Sequence, residues 1–162
     1  MLIHPFEPVY DARSRILILG SFPSVKSREE AFYYAHPRNR FWKLLAALFN
    51  ETPPESVREK TDLLLAHGIA LWDVIHSCEI QGSSDASVRN ARANDIPALI
   101  ARTRIRRIYT NGSKAHELYK RLVYPINAVS DVPLPSTSPA NAACSFEALL
   151  QAWQCIAEAL KT

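Results

Sequence analysis

Arg15-Ile16-Leu17-Ile18-Leu19-Gly20, continuing into Ser21-Phe22-Pro23-Ser24, decides how this chain is read. An unbroken apolar run of this length is a strand buried on both faces, and Gly20 marks its exit into a loop. Loop residues are expected through Ser27. Beyond them, Asn39 to Asn50 carries Phe41, Leu44, Leu45, Leu48 and Phe49 at spacings of three and four, one face of a helix. Pro53-Pro54 ends it, and Ser56-Val57-Arg58-Glu59 is a capping box that starts a second helix running to His67-Gly68.

The same alternation continues to the end of the chain. Ile69 to Ile75 reads as a second strand and Gln81 to Ser87 as a loop. Asn94 to Ala101 reads as a helix, with Pro97 in its first turn. Ile105 to Thr110 is a third strand, closed by Asn111-Gly112, and Ser113 to Leu122 is a helix. Ile126 to Val129 is taken as the fourth strand and Pro133 to Pro139 as a rigid loop. Phe146, Leu149, Leu150, Trp153, Ile156, Ala157 and Leu160 form the apolar stripe of a last helix. Strands alternating with helices predict an α/β chain: three α/β/α layers around a mainly parallel four-stranded sheet. Ligands of such sheets sit beyond the carboxyl ends of the strands. Gly20-Ser21, Thr110-Asn111 and the loop around Ser136 are therefore expected to meet at one cleft.

Composition bounds the alternatives. At 162 residues, 48% hydrophobic and 22% charged, the chain is one domain, 1–162, and not a disordered tail, rod or coiled coil. Cys78, Cys144 and Cys155 are too few for an iron–sulfur cluster or an all-thiolate zinc site, and read as free thiols of a reducing compartment. The N-terminus lacks the features of a signal peptide, and no apolar run reaches the roughly 18 residues of a membrane span. Net charge is +3, but residues 87–107 hold six arginines against Asp95 alone, a local +5. Arg104, Arg106 and Arg107 lie at a strand entry, away from the expected cleft, whereas Arg89 and Arg92 are better placed.

Several chemistries lack their motifs. Gly20-Ser21-Phe22-Pro23-Ser24 is not a phosphate-binding loop, because it has one glycine and no Gly-Lys-Ser/Thr ending. No Gly-x-Ser-x-Gly elbow supports a serine hydrolase, which leaves Ser136 with His116 as an unsupported pair. No His-x-Glu with Pro-Cys-x-x-Cys supports a zinc deaminase. The densest patch is residues 32–43. It sets five aromatic rings among His36, Arg38, Arg40 and Lys43, a mixture suited to base stacking and phosphate contact. Phe41 and Trp42 read as core, and the Tyr33-Tyr34 pair as part of a site.

Gly20-Ser21-Phe22-Pro23-Ser24 followed by His36-Pro37-Arg38-Asn39-Arg40-Phe41-Trp42-Lys43 resembles the uracil-DNA glycosylase superfamily. The second run is similar to the mismatch-specific uracil/thymine glycosylases. Leu134-Pro135-Ser136-Thr137-Ser138-Pro139-Ala140-Asn141 resembles the superfamily's second motif, a loop that presses on DNA. The nearest branch is the hypoxanthine-DNA, or deoxyinosine, glycosylases. Two departures bear on mechanism. Phe22 stands where the uracil enzymes commonly carry the Asp or Asn that handles water, and Leu134 where some members carry a His for the departing anion. The second loss suits a purine, which a proton on a ring nitrogen can help to leave.

What the resemblance implies is hydrolysis of an N-glycosidic bond in a nucleotide flipped out of double-stranded DNA, without cofactor or metal, by a monomeric, monofunctional enzyme of the cytoplasm and nucleoid. Asn39 takes the catalytic role, its amide oxygen orienting water; the competing reading is a helix cap. Tyr34 aligns with a base-stacking aromatic or is a packed core tyrosine. Phe22 offers a second stacking ring. Asn111 reads the base edge or simply forms the turn before Gly112, and Ser21 offers a backbone N–H. Ser24, Lys26, Lys114, Ser136 and Ser138 are candidate DNA contacts, each also readable as a turn or surface residue. Ser138-Pro139-Ala140 is the expected wedge region. A binding module that kept the fold without the chemistry is the second reading, supported by Phe22.

Overall fold

The computed structural model describes residues 1–161 apart from the side chain of Asp85; Thr162, the last residue of the expected domain, lies outside them. The chain runs β1 (Leu2–Ile3), β2 (Ile16–Gly20), α1 (Val25–Glu30), α2 (Phe41–Leu48), α3 (Val57–Ala66), β3 (Ile69–Asp73), β4 (Ile75–Glu79), β5 (Arg89–Ala93), α4 (Ile96–Ala101), β6 (Arg107–Asn111), α5 (Ser113–Leu122), α6 (Tyr124–Asn127), β7 (Asp131–Leu134) and α7 (Phe146–Ala159). β3, β2, β6 and β7 form the expected parallel sheet in that order, with β2 inside it.

β2 explains the layers. Every residue of it is buried, and successive side chains of a strand point to opposite faces. Ile16 and Ile18 join a core with α2, α3 and α7. Leu17 and Leu19 join the opposite core with α4 and α5. A strand that feeds two cores has no polar face, which is why the run is continuous rather than alternating.

Four expectations need correction. Ile126 lies in α6, not in a strand: Pro125 sits at its first turn with φ preset, and Ala128 closes it in a left-handed conformation. The fourth strand is β7 instead, and it includes Pro133, opposite Thr110. An edge strand bonds on one side only, so it tolerates a residue without an N–H. The expected strand Ile69 to Ile75 breaks at Val74, whose N–H donates to Gly20 O (2.8 Å). β4 then leaves in a new direction, pairing with β1 and β5 in an antiparallel three-stranded sheet that the sequence reading did not find. Finally, residues 25–30 are a short helix rather than loop, capped by Ser24.

The remaining elements follow their local signals. Ser56 and Glu59 make the reciprocal capping box on α3, and Asp95 caps α4 by accepting from Ala98 N–H. Phe41 and Trp42 are buried, as expected of core residues. The three cysteines are unpaired thiols. Among the described residues no helix is long and apolar enough to cross a membrane.

Candidate active site

One cavity collects the carboxyl ends of all four parallel strands: Gly20 and Ser21 after β2, Asp73 at the end of β3, Asn111 at the end of β6, and Ser136 to Ser138 after β7. Phe22, Ser24, Tyr34 and Asn39 complete it among the expected site residues. Lys26 and Lys114 do not line it. They pair along their own helices, with Glu30 at 3.3 Å and Glu117 at 3.6 Å.

Thr137 ties the cavity's polar parts together. It is fully buried, and each of its polar groups is engaged. Its N–H donates to Asn111 Oδ1 (3.0 Å), and its hydroxyl accepts from Asn111 Nδ2 (3.0 Å). The same hydroxyl donates to Asn39 Oδ1 (2.8 Å), and its carbonyl accepts from Arg40 N–H (3.1 Å). A hydroxyl that accepts once and donates once satisfies both amides without a charge. The sequence reading chose the serines on either side and missed this residue. Ser136 and Ser138 bond within their own turn: Ser138 N–H donates to Ser136 Oγ, and Ala140 N–H to Ser138 Oγ. Ser24 caps α1. Ser136 and His116 share no hydrogen bond; His116 Nδ1 instead meets Asp131 at 2.7 Å.

Asn39 serves the helix and the cavity together. Its Oδ1 also accepts from Phe41 N–H (3.0 Å), which fixes the oxygen's identity, since two donors would clash there. Both lone pairs of that oxygen are thereby occupied. The expectation that the oxygen orients water is corrected on this point: Nδ2 is the edge of the amide left for a ligand.

The aromatic wall is arranged around Tyr34. Its ring stacks on Phe41 with centroids 4.1 Å apart, and its backbone is left-handed at φ 51°. For a tyrosine that conformation is strained, of order 1–3 kcal/mol, and such strain gathers at working sites. The Tyr34 hydroxyl is buried beside the Asn111 side chain, without a hydrogen bond of good geometry. Burial, reinforced by the charge of Asp73, raises the pKa values of both Tyr33 and Tyr34. Tyr33 itself is core, with its hydroxyl on Glu7 O (2.8 Å). Phe22 lies edge-on to His4, and Arg28 sits 5.7 Å over its ring while donating to Gly82 O.

Asp73 and His4 are the pair that sequence reasoning did not single out. Both side chains are buried, and His4 Nε2 meets Asp73 Oδ2 at 2.7 Å. His4 Nδ1 contacts Phe6 O at 2.8 Å. Asn94 holds the chain at Asp73: its Nδ2 donates to the carbonyls of Asp73 and Ile75. Gly20 leaves room for the carboxylate, because a Cβ there would overlap Asp73 Oδ1 and stand 2.9 Å from the Tyr34 hydroxyl. A lone Asp at the end of a strand, 69 residues from its histidine, gives no local signal of this contact.

The order of these parts along the chain points to one family of base-removing enzymes. The model of the Uracil DNA glycosylase superfamily matches residues 7–157, and the chain belongs to that superfamily. A hypoxanthine DNA glycosylase of Methanosarcina acetivorans is 36% identical over 143 residues, covering 87% of this chain and 89% of the relative. A hypoxanthine DNA glycosylase of Methanosarcina barkeri is 32% identical over 114 residues, covering 69% and 72%. A solution NMR structure described as a candidate uracil DNA glycosylase of Methanosarcina acetivorans superposes with a TM-score of 0.83 at 31% identity, over 99% of this chain and all of that one.

Proposed function

We propose that this DNA glycosylase hydrolyses the N-glycosidic bond of a deaminated base, hypoxanthine foremost, flipped out of double-stranded DNA. The observation that carries the reading is the cavity itself. Tyr34, Phe22 and Asn39 from one stretch of the chain and Asn111 from far beyond it line one slot with a planar, π-rich wall and amide edges. The relatives named as hypoxanthine DNA glycosylases support the choice of base.

The departing base leaves an oxocarbenium-like centre at C1′, which needs little nucleophilic push. Asn39 Nδ2 donates to the oxygen of a water and leaves that oxygen's second lone pair directed at C1′. The amide orients the water and takes no proton: the base leaves with the electrons of the C1′–N bond and is neutralised by a proton, and the water, once bonded to C1′, releases one to solvent. Tyr34 and Phe22 bear on the faces of the base, and Asn111 presents its remaining donor and acceptor capacity to its edge. No lysine lines the cavity among the described residues, which favours water over an amine as nucleophile and hence a monofunctional enzyme. Ser24, Ser136 and Ser138 line the cavity with the backbone N–H groups of their loops, donors suited to the phosphates of a bound strand.

The test is strand scission by alkali after incubation with duplexes carrying one hypoxanthine, uracil, xanthine or mismatched thymine. Hypoxanthine release by the wild type, falling about 100-fold or more in Asn39→Ala while duplex binding persists, is the expected outcome. Release of uracil alone would move the substrate assignment. Lesion binding without any release would favour a binding module.

A further inference from the structure

Asp73 is the one acidic side chain in the cavity lining among the described residues, and neither the motifs nor the proposed hydrolysis uses it. Its two oxygens face different surroundings. Oδ2 is bound by His4 Nε2 at 2.7 Å, while Oδ1 lies on the Gly20 and Tyr34 side of the group, at the cavity. Holding this arrangement costs the fold something. Two ionisable side chains are buried, Tyr34 is left-handed, and Gly20 is confined to glycine by the carboxylate's position.

The hydrogen bonds fix what Oδ1 can do. His4 Nδ1 faces a carbonyl, an acceptor only, so Nδ1 carries hydrogen. One proton then lies between Nε2 and Oδ2, whichever of the two atoms holds it. In either case Oδ1 bears no hydrogen and can only accept. An apolar side chain in the same place would offer the base no acceptor.

We infer that Asp73 Oδ1 separates hypoxanthine from adenine by accepting the ring N–H of hypoxanthine, with His4 as the residue that keeps it an acceptor. Deamination of adenine and of cytosine changes the Watson–Crick edge in the same way. Adenine N1 and cytosine N3 are acceptors, whereas hypoxanthine N1 and uracil N3 carry hydrogen. A buried acceptor meets the ring N–H of hypoxanthine with a hydrogen bond and meets the lone pair of adenine N1 with repulsion. A site built around a buried polar partner rejects the analogue lacking that partner by far more than shape alone does. The inference rests on the glycosylase reading above and assigns the group that protects normal adenine from it.

The experiment measures single-turnover release of hypoxanthine and of adenine from otherwise identical duplexes by wild type, Asp73→Leu and His4→Leu, with thermal melting as a check on folding. Asp73→Leu removes the acceptor, so it should lower hypoxanthine release about 10- to 100-fold and should narrow the hypoxanthine-to-adenine ratio at least about tenfold. His4→Leu frees Oδ2, lets the carboxyl rotate and donate, and should narrow the same ratio. Should either variant fail to fold, competition by free bases on the wild type still decides. Hypoxanthine should inhibit at least about tenfold more strongly than adenine or purine, the last being smaller than hypoxanthine, so that exclusion by size does not account for its rejection. An Asp73→Leu enzyme with unchanged rate and ratio, or equal inhibition by the three bases, overturns the assignment of Asp73 and leaves the glycosylase reading intact. A wild type that releases no base from any duplex overturns both.

Discussion

At the residue scale, one buried hydroxyl sets the positions of two separated amides. Thr137 is bonded to Asn39 and Asn111, and those residues come from α2's entry and the end of β6. Replacing it by Val keeps the shape and removes the hydroxyl. Asn111 Nδ2 and Asn39 Oδ1 then each lose a partner in a confined site. Thr137→Val should cost about 1–3 kcal/mol of stability, read by denaturant titration. It should also slow base release by up to about a hundredfold, because Asn39 loses part of what orients its amide. An active-site effect much larger than the stability effect separates this role from simple packing. Gly112 shows the same economy of space: its φ is 100°, and a Cβ there would stand 3.1 Å from Ser136 Cβ.

At the element scale, the loop after β7 is held in place by the last helix. Trp153 of α7 is fully buried, and its indole N–H donates to Pro135 O (2.9 Å). Arg40 closes the other side of that loop, donating to the carbonyls of Ser138, Asn141 and Cys144. Arg40 is therefore a structural tie, although its place in a basic, aromatic run suggests a phosphate contact. Trp153→Ala should destabilise by about 3–5 kcal/mol, since it leaves a large void and strands the Pro135 carbonyl. Trp153→Phe keeps most of the volume. In urea unfolding it should lie between the wild type and Trp153→Ala, and its loss of base release should exceed what its stability alone explains.

At the scale of the whole molecule, the buried phenols tie stability to pH. Burial raises the pKa values of Tyr33, Tyr34, Tyr109 and Tyr119, four of the chain's six tyrosines. A raised folded pKa means the folded state holds its proton more tightly than the unfolded chain. That contribution is complete below the ordinary tyrosine value of about 10 and declines as pH rises past it. Unfolding free energy should therefore fall steeply above about pH 10, and ultraviolet titration should show Tyr33 and Tyr34 ionising only as the protein unfolds. Stable folding through that range with all six phenols titrating together would contradict the burial described here.

Much of this protein was determined by its sequence. The continuous run Ile16–Gly20, the capping box at Ser56 and the apolar stripe of the last helix are local patterns, and local patterns survive in one dimension. They set the layers, and with the strand-end rule they brought Ser21, Asn111 and Ser136 to one cavity, to which the family resemblance added Tyr34 and Asn39. Tertiary structure alone decided the rest. β7 forms around Pro133 because it lies at a sheet edge, and β3 bends into β4 because Gly20, Ser21 and Asn94 take the hydrogen bonds at the bend. Only that bend carries Asp73 to the cavity and to a histidine 69 positions away, and only folding places Thr137 between two amides. Those contacts depend on where chain segments cross, and the cost of burying polar groups is recovered only when every partner arrives together.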